Sequence, residues 1–178
     1  METKVGKATV ELLQGDITGQ DTDAIVNAAN RTLLGGGGVD GAIHRAAGPQ
    51  LLAECRTLAG CETGDAKITK GYNLKARYVI HTVGPVYHSA GKKAPQLLAS
   101  CYRRSLELAS QNKLKSVAFP SISTGAYGYP LEEAAPIALK TAMDYLKDHP
   151  DIQLVRFVLF GQDACQAYEK ALKDLKKN

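Results

Sequence analysis

No apolar run in this 178-residue sequence approaches the ~18–20 residues that a membrane-spanning helix needs. The N-terminus, METKVGKATVELLQGD, has no apolar core of a signal peptide. Together these give the expectation of a cytoplasmic, non-membrane protein. No CxxC pair occurs among Cys55, Cys61, Cys101 and Cys165. The four histidines, His44, His81, His88 and His149, show no metal-ligand spacing such as HExxH. Reduced, structural thiols and no metal are expected. There is no large excess of charge of one sign: 22 Lys and Arg stand against 18 Asp and Glu, for a net +4. The lysines of the C-terminal EKALKDLKKN read as a solvated helix face, and no basic run is interleaved with aromatics to mark a nucleic-acid surface. A mild basic balance suits an anionic ligand. There is no linker, repeat or low-complexity segment, and 178 residues suffice for one domain with a sizeable core.

Strand and helix patterns alternate along the chain. Val5–Leu13, Ala24–Ala28, Ala66–Thr69, Tyr78–Val83, Ser116–Phe119 and Leu154–Phe160 read as strands. A helix is expected to begin near Val39. Ala42–Leu58 continues the helical pattern with a break at Gly48-Pro49, and Pro95–Ser110, Leu131–Leu146 and Asp163–Lys176 follow. Asp163 and Gln166 have capping-box spacing. This order predicts the α/β class with helices on both faces of the sheet. The first strand reaches the second without a crossover helix, so the sheet is expected to be mixed. Sheets of this kind bind ligands beyond the carboxyl ends of their strands. Gly15-Asp16-Ile17, Asn27–Asp40, Pro120–Tyr129 and Phe160-Gly161 each follow a strand, and are expected to share one rim.

The richest segment is AIVNAANRTLLGGGGVDGAIHRAAG, Ala24–Gly48. Four consecutive glycines have a high ordering entropy and no side chains, which suits a loop where backbone passes close to a ligand. The helix start beyond them offers free N–H groups to an anion. Gly36, Gly38 and Gly41 fit GxGxxG, but several residues separate them from the strand, and the acidic residue expected about 20 positions on is missing. Dinucleotide-binding and Walker-type readings are therefore set aside. A second loop, PSISTGAYGYP (Pro120–Pro130), can hold a diphosphate with the first, although an ordinary polar loop reads the same way.

Single residues carry two readings each. Asp16 is a turn residue or a carboxylate for an exocyclic amine. Asn27 is expected to pin its loop, whereas Asn30 can address vicinal ribose hydroxyls. Asp40 is an N-cap or a catalytic carboxylate; an anion stabilised at a helix N-terminus is a poor general base, so it would orient water. His44, one turn on, is an acid–base group or a satisfied structural histidine. Tyr127 packs in its loop or closes over a sugar, and Phe160 belongs to the core or stacks on a base.

In this order, GDIT (Gly15–Thr18), IVNAAN (Ile25–Asn30), GGGGVDGAIHRAAGP (Gly35–Pro49), HTVGP (His81–Pro85) and FPSISTGAYGYP (Phe119–Pro130) resemble a macrodomain of the MacroD-type hydrolase branch. The resemblance spans nearly the whole chain and implies a single macrodomain over residues 1–178. It implies a three-layer α/β/α fold with a mixed, mostly parallel six-stranded sheet. It also implies that Asp16 and the Ile17 backbone read adenine with Phe160 stacked on it. Gly35, Gly36, Gly37, Gly38 and Val39, with Ser123, Thr124, Gly125, Ala126 and Tyr127, would hold the diphosphate and distal ribose. Asn30 would bind that ribose, and Asp40 would stand at the scissile bond. The implied ligands are ADP-ribose, its esters such as O-acetyl-ADP-ribose, and mono-ADP-ribosylated proteins, with no cofactor. A non-catalytic ADP-ribose reader is the main rival. A nucleic-acid module using the C-terminal helix and a phosphatase acting on ADP-ribose 1″-phosphate remain open.

Overall fold

The structure, a computed structural model, describes residues 1–177. Among the described residues, seven strands form one sheet: β1 (Glu2–Val5), β2 (Ala8–Gln14), β3 (Ala24–Ala29), β4 (Ala66–Lys70), β5 (Tyr78–Val83), β6 (Ser116–Phe119) and β7 (Leu154–Leu159). Their order across the sheet is β1-β2-β7-β6-β3-β5-β4. The five central strands are parallel, and β1 and β4 run antiparallel at the two edges. The sheet is thus mixed and mostly parallel, as expected, but has seven strands rather than six. The expected strand Val5–Leu13 divides into a hairpin. Val5 pairs with Ala8, and Gly6 at φ +60 supplies the positive φ of the two-residue turn.

The helices are α1 (Gly38–Ala47), α2 (Pro49–Arg56), α3 (Tyr87–Ala90), α4 (Ala94–Gln111), α5 (Leu131–Asp148) and α6 (Gln162–Lys176), with short 3-10 turns at Ile17–Gly19 and Gly91–Lys93. The Gly48-Pro49 break separates α1 from α2, with Gly48 at φ +88. Asp163 makes no capping bond: α6 starts one residue before it, with Gly161 at the N-cap. None of the described helices is long and apolar enough to cross a membrane.

Strand alternation sorts the core into two layers. Ala24, Val26 and Ile80 face a cluster with Leu98, Tyr102 and Leu106 of α4, Ala135 and Leu139 of α5, and Tyr168 and Leu172 of α6. Ile25, Ala29, Val79 and Val83 face Ile43 and Ala47 of α1 and Leu51 and Cys55 of α2. This gives the three-layer α/β/α arrangement. The parity also decides where polar side chains go. Asn27 and His81 are direct partners in the β3–β5 register, so both are delivered to the α1–α2 face, where they are fully buried.

Candidate active site

The chain leaves β3 toward α1 on one face, whereas the neighbouring β6 and β5 lead to α5 and α4 on the other. Loops that part in this way open a crevice at the carboxyl end of a parallel sheet. Here the crevice is a cleft of about 340 Å³. Asn30, Gly36, Gly37, Gly38, Val39 and Asp40 line it from the β3 side, and Ser123, Gly125, Ala126 and Tyr127 from the β6 side. Ala28, Ala29, Gly84, Ser121 and Ile122 complete the lining and were not singled out from the sequence. Gly84 and Ser121 sit inside the HTVGP and FPSISTG motifs, which are the signal that could have pointed to them.

The glycine loop is shaped by Asn30. Its Oδ1 accepts from Thr32 N (3.2 Å), Thr32 Oγ1 (2.7 Å) and Leu33 N (3.2 Å), and its Nδ2 donates to the Gly35 carbonyl (2.9 Å). Asn30 therefore does the loop-pinning expected of Asn27, while still bordering the cleft. Gly36 lies between two side chains: a Cβ there would stand 3.2 Å from Asp40 Oδ2 and 3.3 Å from Asn30 Nδ2. The loop is thus glycine where a methyl group would crowd both.

Asp40 lies inside α1, three residues beyond the Gly37 N-cap, and does not cap the helix itself. The expected N-cap role fails because the helix starts within the glycine run. Asp40 is buried, and Oδ1 accepts from Asn27 Nδ2 at 2.8 Å. The same Asn27 nitrogen is 3.1 Å from His81 Nδ1, and His81 Nε2 is 2.9 Å from Thr69 Oγ1 and 3.8 Å from Cys55 Sγ. Asn27 and His81 thus tie Asp40 to the sheet, a role that the sequence does not disclose. His44 Nε2 lies 3.4 Å from Asp40 Oδ1, but it is buried without a hydrogen bond, unlike a satisfied structural histidine. Burial, aided by the nearby His44, pushes His81 down to about 3, so its ring is neutral at physiological pH. Burial also pushes the Cys55 thiol up to about 11, which leaves it a protonated, packed side chain.

The opposite loop is held from below. Tyr102 of α4 accepts the Ile122 N–H at 3.0 Å, and Tyr168 of α6 donates to Ser121 Oγ at 2.9 Å, both rings being fully buried. Thr124 turns inward, with its hydroxyl on Ser121 Oγ (2.8 Å), and does not line the cleft. Ser123 adopts φ +68, and its buried Oγ has no partner. A Cβ on Gly84 would collide with that hydroxyl and with Ile122, so Gly84 is the space into which the loop fits.

Asp16, Ile17 and Phe160 lie outside the cleft lining, as does Gly35, which borders it through its bond to Asn30. They follow β2 and β7, the next two strands along the same rim. Asp16 accepts from the hydroxyl (2.7 Å) and amide (2.9 Å) of Thr18, and these bonds hold its carboxyl below the usual range. Phe160 is one residue beyond β7 and 88% exposed, so it is not a core residue. Ile17 is buried.

Fold and cleft together define an α/β/α protein with a glycine-lined crevice at a point where its sheet connections part. The Macro domain family model matches residues 26–138. A Macro domain-containing protein of Methanosarcina mazei is 57% identical over 166 residues, 93% of this chain and 89% of that protein. The human ADP-ribose glycohydrolase MACROD2 is 55% identical over 168 residues, which is 93% of this chain but 39% of that protein. A solved structure of a mutant Oceanobacillus iheyensis macrodomain with ADPR superposes with a TM-score of 0.97 at 46% identity, covering 100% of this chain and 99% of that one. The chain belongs to the Macro domain family.

Proposed function

We propose that the chain is an ADP-ribose-binding hydrolase that cleaves esters on the distal ribose, both in O-acetyl-ADP-ribose and in mono-ADP-ribosylated aspartate and glutamate side chains. The observation that carries this reading is the pairing across Gly36. A buried carboxylate, Asp40, and an amide, Asn30, flank the same glycine in a cleft walled by backbone. A binding module needs the glycine loop; a buried anion held by a dedicated amide suits a step in which positive charge develops. The human relative named ADP-ribose glycohydrolase and the neighbour holding ADPR favour the same ligand.

In this reading the Asp16 carboxylate and Ile17 backbone take the adenine, and the exposed Phe160 ring stacks on it. Amides of Gly35–Val39 and of Ser123–Tyr127, including Gly125, take the diphosphate, while Asn30 addresses the distal ribose and Tyr127 covers it. Ser123 Oγ, buried and unpartnered, gains an acceptor when the ligand binds. Water adds to the ester, and the products are ADP-ribose and the free acid. Asp40 orients that water and offsets charge developing in the transition state, with the substrate's diphosphate helping to place it. Four unpaired cysteines fit a reducing, cytoplasmic setting.

The test is a single-turnover assay of the wild-type chain on both substrates in ¹⁸O-water, with calorimetry of ADP-ribose alongside. Release of acetate or of the unmodified side chain supports the hydrolase. For an ester at the anomeric carbon, label in the acid marks acyl attack and label in the ribose marks attack at that carbon. Binding without release makes the chain a reader, and phosphate release from the 1″-phosphate alone would make it a phosphatase. Failure to bind ADP-ribose removes the assignment of the cleft.

A further inference from the structure

We infer that His81 and Thr69 are positioning residues that fix the orientation of the Asn27 amide and, through it, the Asp40 carboxylate; this deepens the hydrolase reading and rests on it. The inference starts from the hydrogens available. Asn27 Nδ2 carries two, and its two close partners are Asp40 Oδ1 at 2.8 Å and His81 Nδ1 at 3.1 Å. An amide N–H can only donate, so His81 Nδ1 must accept and carries no proton. A neutral ring then bears its proton on Nε2, which faces Thr69 Oγ1 at 2.9 Å. The Thr69 hydroxyl accepts that proton's bond and donates its own to the Lys70 carbonyl at 3.1 Å. From Asn27 through His81 and Thr69, each donor points toward the Lys70 carbonyl of the β4 backbone.

The reverse sense is closed. Turning the Asn27 amide over would set its oxygen against the Asp40 carboxylate, acceptor against acceptor. The present orientation already leaves Asn27 Oδ1 buried without a partner, so two bonds to Asp40 and His81 outweigh one orphaned oxygen. The chain has a consequence at the cleft. With Oδ1 tied down to Asn27, Asp40 presents Oδ2 beside Gly36 and Asn30. Neither His81 nor Thr69 reaches the cleft; both are buried beneath it. The neutral state forced on the ring by burial keeps the chain from reversing through a second proton.

The ring nitrogens of His81 provide a test that needs no substitution. ¹⁵N NMR of the full chain between pH 5 and 8 should show Nε2 protonated and Nδ1 unprotonated, without titration. A protonated Nδ1 overturns the inference. Thr69→Val keeps the shape and strand preference but removes the hydroxyl. It should lower single-turnover kcat by about 3- to 10-fold, the rate worth of one neutral hydrogen bond. The Kd for ADP-ribose and the KM should stay within about 2-fold, the range of an indirect effect. Thr69→Ser should restore kcat. An unchanged kcat in a folded Thr69→Val, a parallel loss of ADP-ribose affinity, or no rescue by serine would each overturn the inference. An inert wild type would instead overturn the hydrolase reading, and the nitrogen shifts would then decide the orientation alone.

Discussion

Gly41→Ala sets two effects of known sign against each other. Gly41 is buried within α1, where alanine favours the helix over glycine by about 1 kcal/mol. A Cβ at this position, however, would stand 2.5 Å from the Gly36 carbonyl oxygen and 3.1 Å from Arg45 Nη1. The arginine tip can swing aside, but the carbonyl belongs to the glycine loop, whose far side is fixed by Asn30 on Gly35. Overpacking against such a neighbour costs about 1–3 kcal/mol. The clash therefore cancels or exceeds the helix gain, for a net loss of about 0–2 kcal/mol, or a fall in Tm of up to ~8 °C for a chain of this size. Turnover should suffer more than stability, because relief of the contact moves Gly36, against which Asp40 and Asn30 are set. Gly19→Ala, where a Cβ meets nothing within 4 Å, is the control for stability. Thermal melts and single-turnover rates of both variants provide the assay. A Gly41→Ala chain stabilised by the full helix gain with unchanged turnover would refute the packing of α1 on the glycine loop.

Two other perturbations test the supports of the rim. Tyr102→Phe leaves the buried Ile122 N–H without its acceptor, so urea unfolding should show a loss of about 1–3 kcal/mol. The Asp16 carboxyl, held down by the Thr18 hydroxyl and amide, should titrate below 3.8 by NMR, and Thr18→Val should move it upward. Because its folded value lies below the unfolded one, the stability it contributes is present above that unfolded value and is lost as pH falls through the folded one. If Asp16 takes the adenine as proposed, ADP-ribose affinity should therefore be flat with pH from 5 to 8.

Much of the fold was legible because its strands are short apolar runs bounded by turns. Tyr78–Val83 and Ser116–Phe119 match the observed strands, and Leu154–Phe160 overshoots by the one residue, Phe160, that is exposed. The first hairpin was missed because its edge strand, Glu2–Val5, buries only Val5 and so shows no apolar alternation, although Gly6 stands at the first turn position as a two-residue turn allows. Most of the cleft was legible from the glycine loop and PSISTGAYGYP, since loops after parallel strands must meet on one rim. The support beneath it was not. His81 sits in the run YVIHTV, where nothing local separates a structural histidine from a functional one. Its meaning comes from the register that places it beside Asn27, 54 positions away in the chain. Of the two readings of Asp40, the N-cap one fails because the helix starts within the glycine run, and glycines are poor helix formers that give no local sign of a start inside them.

The central claim is that Asp40 drives turnover while the backbone loops hold the ligand. Asp40→Asn tests it most directly, because the new side chain can still accept from Asn27 while the charge is gone. Single-turnover cleavage of O-acetyl-ADP-ribose should slow by about 10²–10³-fold, the range for losing one preorganised electrostatic contact to the transition state. Calorimetry should show ADP-ribose bound by the variant as by the wild type. Turnover at the wild-type rate, or a loss of affinity equal to the loss of rate, would contradict it.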